Sequence, residues 1–319
     1  MTTGAAAGRG VILMAVYNGE RHLREQLQSL ADQTFQDWDL IASDDGSQDG
    51  SRALLQDVAR AWTAAEPDRR HDLTILSGPG RGLVRNFFHL FQTMPATAAF
   101  AALSDQDDVW FPGKLDRALA ALAAIPPERP ALYCARTMIC DEALRPLRPS
   151  VLFRRSPGFR NALVQSAGGG NTMVLNPGAI ALVRSAVAEA QEAAVHDWWL
   201  YQIITACGGT VLRDAEPVLL YRQHGANAIG VNTSVRGRIH RILFIMGRRF
   251  SAWNDINLRA LAASRHRFTP EARAVLDHYA EARRGGALHR MRALTASGVY
   301  RQRRIGTLAL YAACLAGRL

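Results

Sequence analysis

The chain has 319 residues, 48% hydrophobic and 21% charged, with a net charge of +10. That length holds one large α/β domain or a domain with an appendage, and the apolar content excludes a disordered chain. The charge is lopsided: residues 231–319 carry 17 Arg against 4 Asp plus Glu, so attraction to a polyanion or an anionic membrane face belongs to the tail. The cysteines Cys134, Cys140, Cys207 and Cys314 form no CxxC pair, and reduced thiols in a cytoplasmic protein are expected. "MTTGAAAGRG" lacks the basic start and apolar core of a secretory signal. The longest apolar stretch, "IGTLALYAACLAG", is shorter than the roughly 20 residues that cross a bilayer.

In chain order, "GVILMAVYNG" reads as a buried strand ending in a turn, and "ERHLREQLQSLADQ" has Leu23, Leu27 and Leu30 at helical spacing. "WDLIASDDGSQDGS" is a second strand running into a polar loop. "SRALLQDVARAW" is a helix with Ser51 as its expected N-cap. "DLTILSG", "GLVRNFFHLFQTM" and "AAFAALSD" continue as strand, helix, strand. "PGKLDRALAALAAI" is a helix with Pro112 near its first turn. "ALYCARTMIC" is one more strand. Such alternation predicts a mostly parallel sheet covered on both faces by helices. After Pro149 come a glycine-rich loop, "SAGGGNT", a short strand and a helix, then the helix "HDWWLYQIITACGG" and an expected hairpin, "TVLRDAEPVLLYRQHG". From about Thr233 the pattern is helical and Arg-rich, predicting two to four helices. The expected units are a catalytic domain over 1–230 and a basic helical extension over 231–319.

In open parallel sheets, ligands bind outside the carboxyl ends of the strands. Three polar signals fall there: "YNGE" after the first strand, "SDDGSQDGS" after the second, "SDQDD" after the fourth. Asp44 and Asp45 suit hydrogen bonds to a base or ribose; the simpler alternative is an Asx turn capping the next helix. Asp105 and Asp107 flank Gln106 in a D-x-D arrangement whose hard oxygens suit Mg²⁺ or Mn²⁺ holding a diphosphate. A bound cation would relieve the repulsion between such closely spaced acids; the plain alternative is a solvated turn.

"VILMAVYNGERHLREQLQSLADQTFQDWDLIASDDGSQDGS" followed by "SDQDDVWFPGKL" resembles the family 2 glycosyltransferases of GT-A fold, and within them bacterial rhamnosyltransferase-type members. The resemblance spans roughly residues 10–230. It implies a Rossmann-like sheet and an inverting transfer of a sugar from a nucleoside diphosphate sugar, dTDP-rhamnose or a UDP-sugar. The implied acceptor is a hydroxyl of a glycan or lipid-linked molecule in cell-surface polysaccharide synthesis.

Residue by residue, the resemblance implies that Ala15 and Tyr17 line the base and that Asp44 or Asp45 bonds the base or ribose. Arg85 lies near the nucleotide, with Arg81 as competitor, and Gln106 is on the nucleotide side. Asp105 contacts ribose or sugar, and Asp107 binds the metal bridging the phosphates. In "VHDWWLYQ", Asp197 matches the family's general base, with His196 where Glu is common. Of the two tryptophans that follow, one is expected in the core and one, Trp198, facing the acceptor. Gly170 and Asn171 belong to a loop beside the donor sugar and acceptor. His224, in "YRQHGANAIG", matches a late histidine that reaches metal or diphosphate.

The basic, apolar-interleaved "VRGRIHRILFIMGRRF" suits an anionic membrane face; the alternative is packing on the catalytic domain. A peripheral position on the inner face of the cytoplasmic membrane is therefore open. Nucleic acid is disfavoured because no reader motif is present. The rivals are a nucleotidyltransferase, whose glycine-rich basic signature "VILMAVYNGE" lacks, and a nucleotide-sugar-binding scaffold without activity, against which Asp107 and Asp197 stand. "SGPGRGL" lacks the glycine spacing of a dinucleotide-binding dehydrogenase.

Overall fold

A computed structural model describes residues 9–64, 71–223 and 247–319. The sequence alternation resolves into a nine-stranded sheet among these residues, ordered β3-β2-β1-β4-β8-β6-β9-β5, with β7 pairing on β6. The strands are β1 Gly10–Val16, β2 Trp38–Asp44, β3 Leu73–Ser77, β4 Ala101–Ser104, β5 Val109–Trp110, β6 Ala131–Cys140, β7 Pro146–Pro149, β8 Val174–Leu175 and β9 Thr210–Arg222. β1 pairs parallel with both β2 and β4, and β6 runs parallel to β9; β5, β7 and β8 run against their neighbours. The sheet is mostly parallel, as its sequence pattern requires.

β1 is buried along its whole length, which is why it reads as an unbroken apolar run. Its side chains alternate. Val11, Leu13 and Ala15 join one apolar cluster with helices α3 Leu83–Thr93, α6 Pro177–Val187 and α7 His196–Ala206. Ile12, Met14 and Val16 join another with α1 Glu20–Ala31, α2 Ser51–Ala64 and α4 Lys114–Leu122. A short helix, α5 Phe159–Ala162, packs on α7.

Two local expectations are corrected. Residues 210–222 form one strand and no hairpin. The Asp-Ala-Glu-Pro stretch is absorbed as register shifts against β6, with the Asp214 carboxylate accepting from the Glu216 N–H at 2.9 Å. Ser51 is the first helical residue of α2. Its hydroxyl accepts from the Gly19 N–H at 2.8 Å, and the Asp49 carboxylate takes the Ser51 N–H.

The extension forms four helices: α8 Arg248–Ala263, α9 Pro270–Glu281, α10 Ala287–Ser297 and α11 Arg304–Leu315. Phe250, Leu261, Leu276, Leu294 and Leu310 are buried in the same cluster as β1, α3 and α7. Trp253 of α8 meets Trp198 of α7 edge-on at 6.3 Å. The extension thus shares the main core. The boundary expected near 231, residues 235–246 of the basic stretch and His224 lie outside the described residues.

Candidate active site

The carboxyl ends of β1, β2 and β4 share one rim because those strands are parallel and adjacent. Just past β1, Tyr17 is 56% exposed, so its ring is free to meet a flat ligand. The Tyr17 N–H donates to Gln106 Oε1 at 2.8 Å, and Gln106 Nε2 donates back to the Tyr17 carbonyl at 3.0 Å. Gln106, expected on the nucleotide side, therefore clasps the β1 loop to the β4 loop. Gly19 is required beside it, since a Cβ there would lie 2.4 Å from Gln106 Oε1. The Ala15 methyl is 5% exposed and belongs to the core, offering a ligand little beyond backbone.

Asp44 and Asp45 both carry local roles. Asp44 Oδ1 accepts from the Ser47 N–H at 3.1 Å, and Oδ2 lies 3.4 Å from the Arg52 guanidinium. Asp45 spreads its two oxygens over the Gly80 and Gly82 N–H groups, both at 2.7 Å, and so anchors the loop leading into α3. Asn86, which sequence reasoning passed over, ties α3 to β2: its Nδ2 donates to the Ser43 carbonyl at 2.8 Å. One residue earlier, the half-buried Arg85 has no ion pair or side-chain hydrogen bond among the described residues, and neither has exposed Arg81. Both guanidiniums remain available to an anion.

The β4 loop holds the strongest electrostatic feature. Burial, then the charges of Asp107 and Asp197, push the Asp105 carboxyl up to about 7 against the pull of the Lys114 ammonium. Asp197, far from the β4 loop in sequence, therefore lies within electrostatic reach of Asp105. Beneath them lies a buried brace that the sequence reading missed. Asp108 accepts from Asn171 Nδ2 at 2.6 Å, and Lys114 Nζ donates to the Asn171 carbonyl at 2.6 Å while sitting 3.0 Å over the Trp110 ring. Burial drives Asp108 well up and Lys114 well down from their usual ranges; each opposes the shift of the other. The signal was present in "PGKL", where a lysine opens an apolar helix. Asn171, expected beside the sugar, is an internal strut, 2% exposed.

Asp197 Oδ2 accepts from the Gly170 N–H at 3.0 Å, and burial raises its carboxyl to about 6. It is ionised at neutral pH, as a general base must be. The preceding His196 is buried and stacked on Phe87 at 3.8 Å; burial pushes it down to about 3, so it is neutral. A Cβ at position 170 would lie 2.6 Å from His196 Nε2 and 3.2 Å from Asp197 Cβ, so only glycine fits. Trp198 is 5% exposed with Nε1 donating to the Ala162 carbonyl at 2.6 Å, and Trp199 is fully buried. Both tryptophans are core residues; the expectation that Trp198 faces the acceptor is corrected, because an indole N–H bonded inside the fold locks the ring there.

Among the described residues no three His, Cys, Asp or Glu side chains close into a metal cage. The donor set fits a hard cation nonetheless. Asp105 is under repulsion from two acids, and few carboxylates plus substrate oxygens is how Mg²⁺ sites are commonly built.

Residues 11–189 match the profile of glycosyl transferase family 2. The dTDP-rhamnosyl transferase RfbG of Shigella flexneri is 26% identical over 236 residues, covering 72% of this chain and 78% of that protein. An Escherichia coli glucosyltransferase, WfgD, named for UDP-Glc and α-D-GlcNAc-diphosphoundecaprenol, is 27% identical over 111 residues, 35% of this chain and 40% of its own. The crystal structure of S. aureus TarS 1–349 with UDP-GlcNAc superposes with a TM-score of 0.50 at 12% identity, covering 97% of this chain and 90% of that one, a likeness of fold. With a profile match across more than half its length and a fold shared with such a structure, this chain belongs to glycosyl transferase family 2 and has the GT-A fold.

Proposed function

We propose that this chain is an inverting, metal-dependent hexosyltransferase that moves rhamnose from a nucleoside diphosphate sugar to a hydroxyl of a glycan or lipid-linked acceptor, in cell-surface polysaccharide synthesis at the inner face of the membrane. The observation that carries the reading is the turn at Gly170 and Asn171, whose hydrogen bonds join Asp197 to Asp108 of the β4 loop that also holds Asp105 and Asp107. Rhamnose is favoured over other sugars by the 72% of the chain aligned with a dTDP-rhamnosyl transferase. A lipid-linked acceptor is in keeping with the diphosphoundecaprenol acceptor in the name of WfgD.

In this reading the base stacks on exposed Tyr17, and Asp44 or Asp45 receives the ribose or base edge. Arg85, with Arg81 beside it on the same loop-to-helix junction, meets the diphosphate. Asp107, with Asp105, would hold Mg²⁺ or Mn²⁺, which when bound neutralises charge developing on the leaving phosphate. The acceptor oxygen attacks the anomeric carbon, the bond to the diphosphate breaks with its electron pair, and Asp197 takes the acceptor proton. Gly170 and Asn171 hold that carboxylate in place through the Gly170 N–H and the buried brace below.

The test is calorimetric titration of nucleoside diphosphates with and without Mn²⁺. Asp107→Ala is expected to abolish the Mn²⁺-dependent part of binding; equal binding in both conditions for the unsubstituted chain removes the metal from the reading. A donor screen in which dTDP-rhamnose is no better than UDP-glucose removes the rhamnose assignment.

A further inference from the structure

Residues 282–319 contain eight Arg and no Asp or Glu. They build the α10–α11 hairpin, the last element of the fold. Arg290 of α10 donates through Nε to the Cys314 carbonyl and through Nη2 to the Leu315 carbonyl, both at 2.8 Å. The start of α10 therefore lies beside the end of α11, and the two helices are antiparallel.

One side of α11 is core: Ala309, Leu310, Ala313 and Cys314 are buried. The other side exposes Ile305, Leu308 and Leu315, at 59%, 69% and 51%, and Leu288 at the start of α10 is 66% exposed. Positions 305, 308 and 315 follow helical spacing, so they form one stripe. Half of the large exposed apolar side chains among the described residues are on this hairpin. Arg292, Arg303, Arg304 and Arg318 are exposed and make no ion pair among the described residues. On α10, Met291, Arg292, Thr295 and Ala296 line a shallow groove of about 440 Å³.

We infer that the outer face of the α10–α11 hairpin is a membrane-docking surface that seats this chain on a bilayer rich in anionic lipid. An apolar stripe bordered by unpaired cations matches an interface with hydrocarbon below and anionic headgroups around it. A second copy of the chain fits less well, because two such faces bring arginines against arginines with no acid between them. Nucleic acid leaves the leucines uncovered, and the sequence carries no reader motif. The helices lie on the surface and do not cross it: α11 has 12 residues, about 18 Å of helix, and among the described residues no helix is long and apolar enough to span a membrane. The hairpin is a different segment of the chain from the basic stretch at 235–246. Its use rests on the proposed transfer to a lipid-linked acceptor, but its existence does not, so the test reads lipid binding separately from sugar transfer.

The full chain is centrifuged with sucrose-loaded vesicles of phosphatidylglycerol and phosphatidylcholine, or of phosphatidylcholine alone. Binding is expected only to the anionic vesicles, weakening as salt rises. Leu308→Glu combined with Ile305→Glu is expected to lower vesicle affinity by about tenfold or more, with circular dichroism and hydrolysis of the sugar donor unchanged. Should that pair misfold, Arg292→Ser with Arg303→Ser and Arg304→Ser carries the same expectation. Equal binding by a folded variant, absence of binding by the unsubstituted chain, displacement by short duplex DNA, or a loss confined to self-association on gel filtration overturns the assignment. Loss of donor hydrolysis with vesicle binding intact would instead strike the proposed catalytic function.

Discussion

At the scale of single residues, the strand-end rim holds acids where acids are costly. Burial lifts Asp197 from 3.8 to about 6. A carboxyl raised in the folded state contributes stability at low pH that is lost as pH climbs through the folded value. Asp197→Asn is therefore expected to stabilise the fold at pH 8 by about 1–3 kcal/mol and to leave it unchanged near pH 4, measured by urea unfolding at both values. The same substitution should lower transfer by about 10²–10⁴-fold, and the unsubstituted enzyme's turnover should fall as pH drops below about 6. Near-normal turnover in the variant would remove Asp197 as the base. Lys114 is the counterpart. Its ammonium is the positive charge felt by both Asp105 and Asp108, and Lys114→Met removes it together with its bond to the Asn171 carbonyl, an expected loss of about 3–5 kcal/mol. The loss should be larger at pH 8 than at pH 5, where protonation relieves them; a flat pH dependence would show that the ammonium is not their partner.

At the scale of elements, the 3-10 turn Gly170–Thr172 links Asp197 to the β4 loop. Its first residue holds Asp197 through the backbone N–H, and its second holds Asp108 and Lys114. A shift of this turn would displace the Asp197 carboxylate and the β4 loop together. Gly170→Ala places a methyl against the rigid His196 ring and the Asp197 side chain, so turnover is expected to fall at least about tenfold through misplacement of the base. Nucleotide affinity should be nearly unchanged, because Tyr17 and the β2 loop lie on other elements. A fall in affinity with turnover preserved would contradict that division. The "GGGNT" loop was legible as a place of close approach, but its partners were not. The imidazole that forces glycine at position 170 comes from 26 residues further along the chain.

At the scale of the whole molecule, the C-terminal helices complete the core. Removing residues 247–319 uncovers Trp198 and the α7 surface that Trp253, Phe250 and Leu261 cover. The truncated chain is expected to lose cooperative unfolding and to bind ANS; a sharp transition within a few degrees of the full chain would show that the extension is separable. By itself the sequence determined the alternating strands and helices, the family and the rim acids, because periodicity and short ordered motifs are local properties. It did not determine what those side chains touch. Tertiary structure decided that Gln106 and Asp45 clasp loops, that Trp198 is core, that the residue 210–222 segment is one strand, and that Lys114 sits beneath the acids. Each outcome depends on a partner distant in the chain, and burial beside that partner, more than residue type, sets charge state and accessibility.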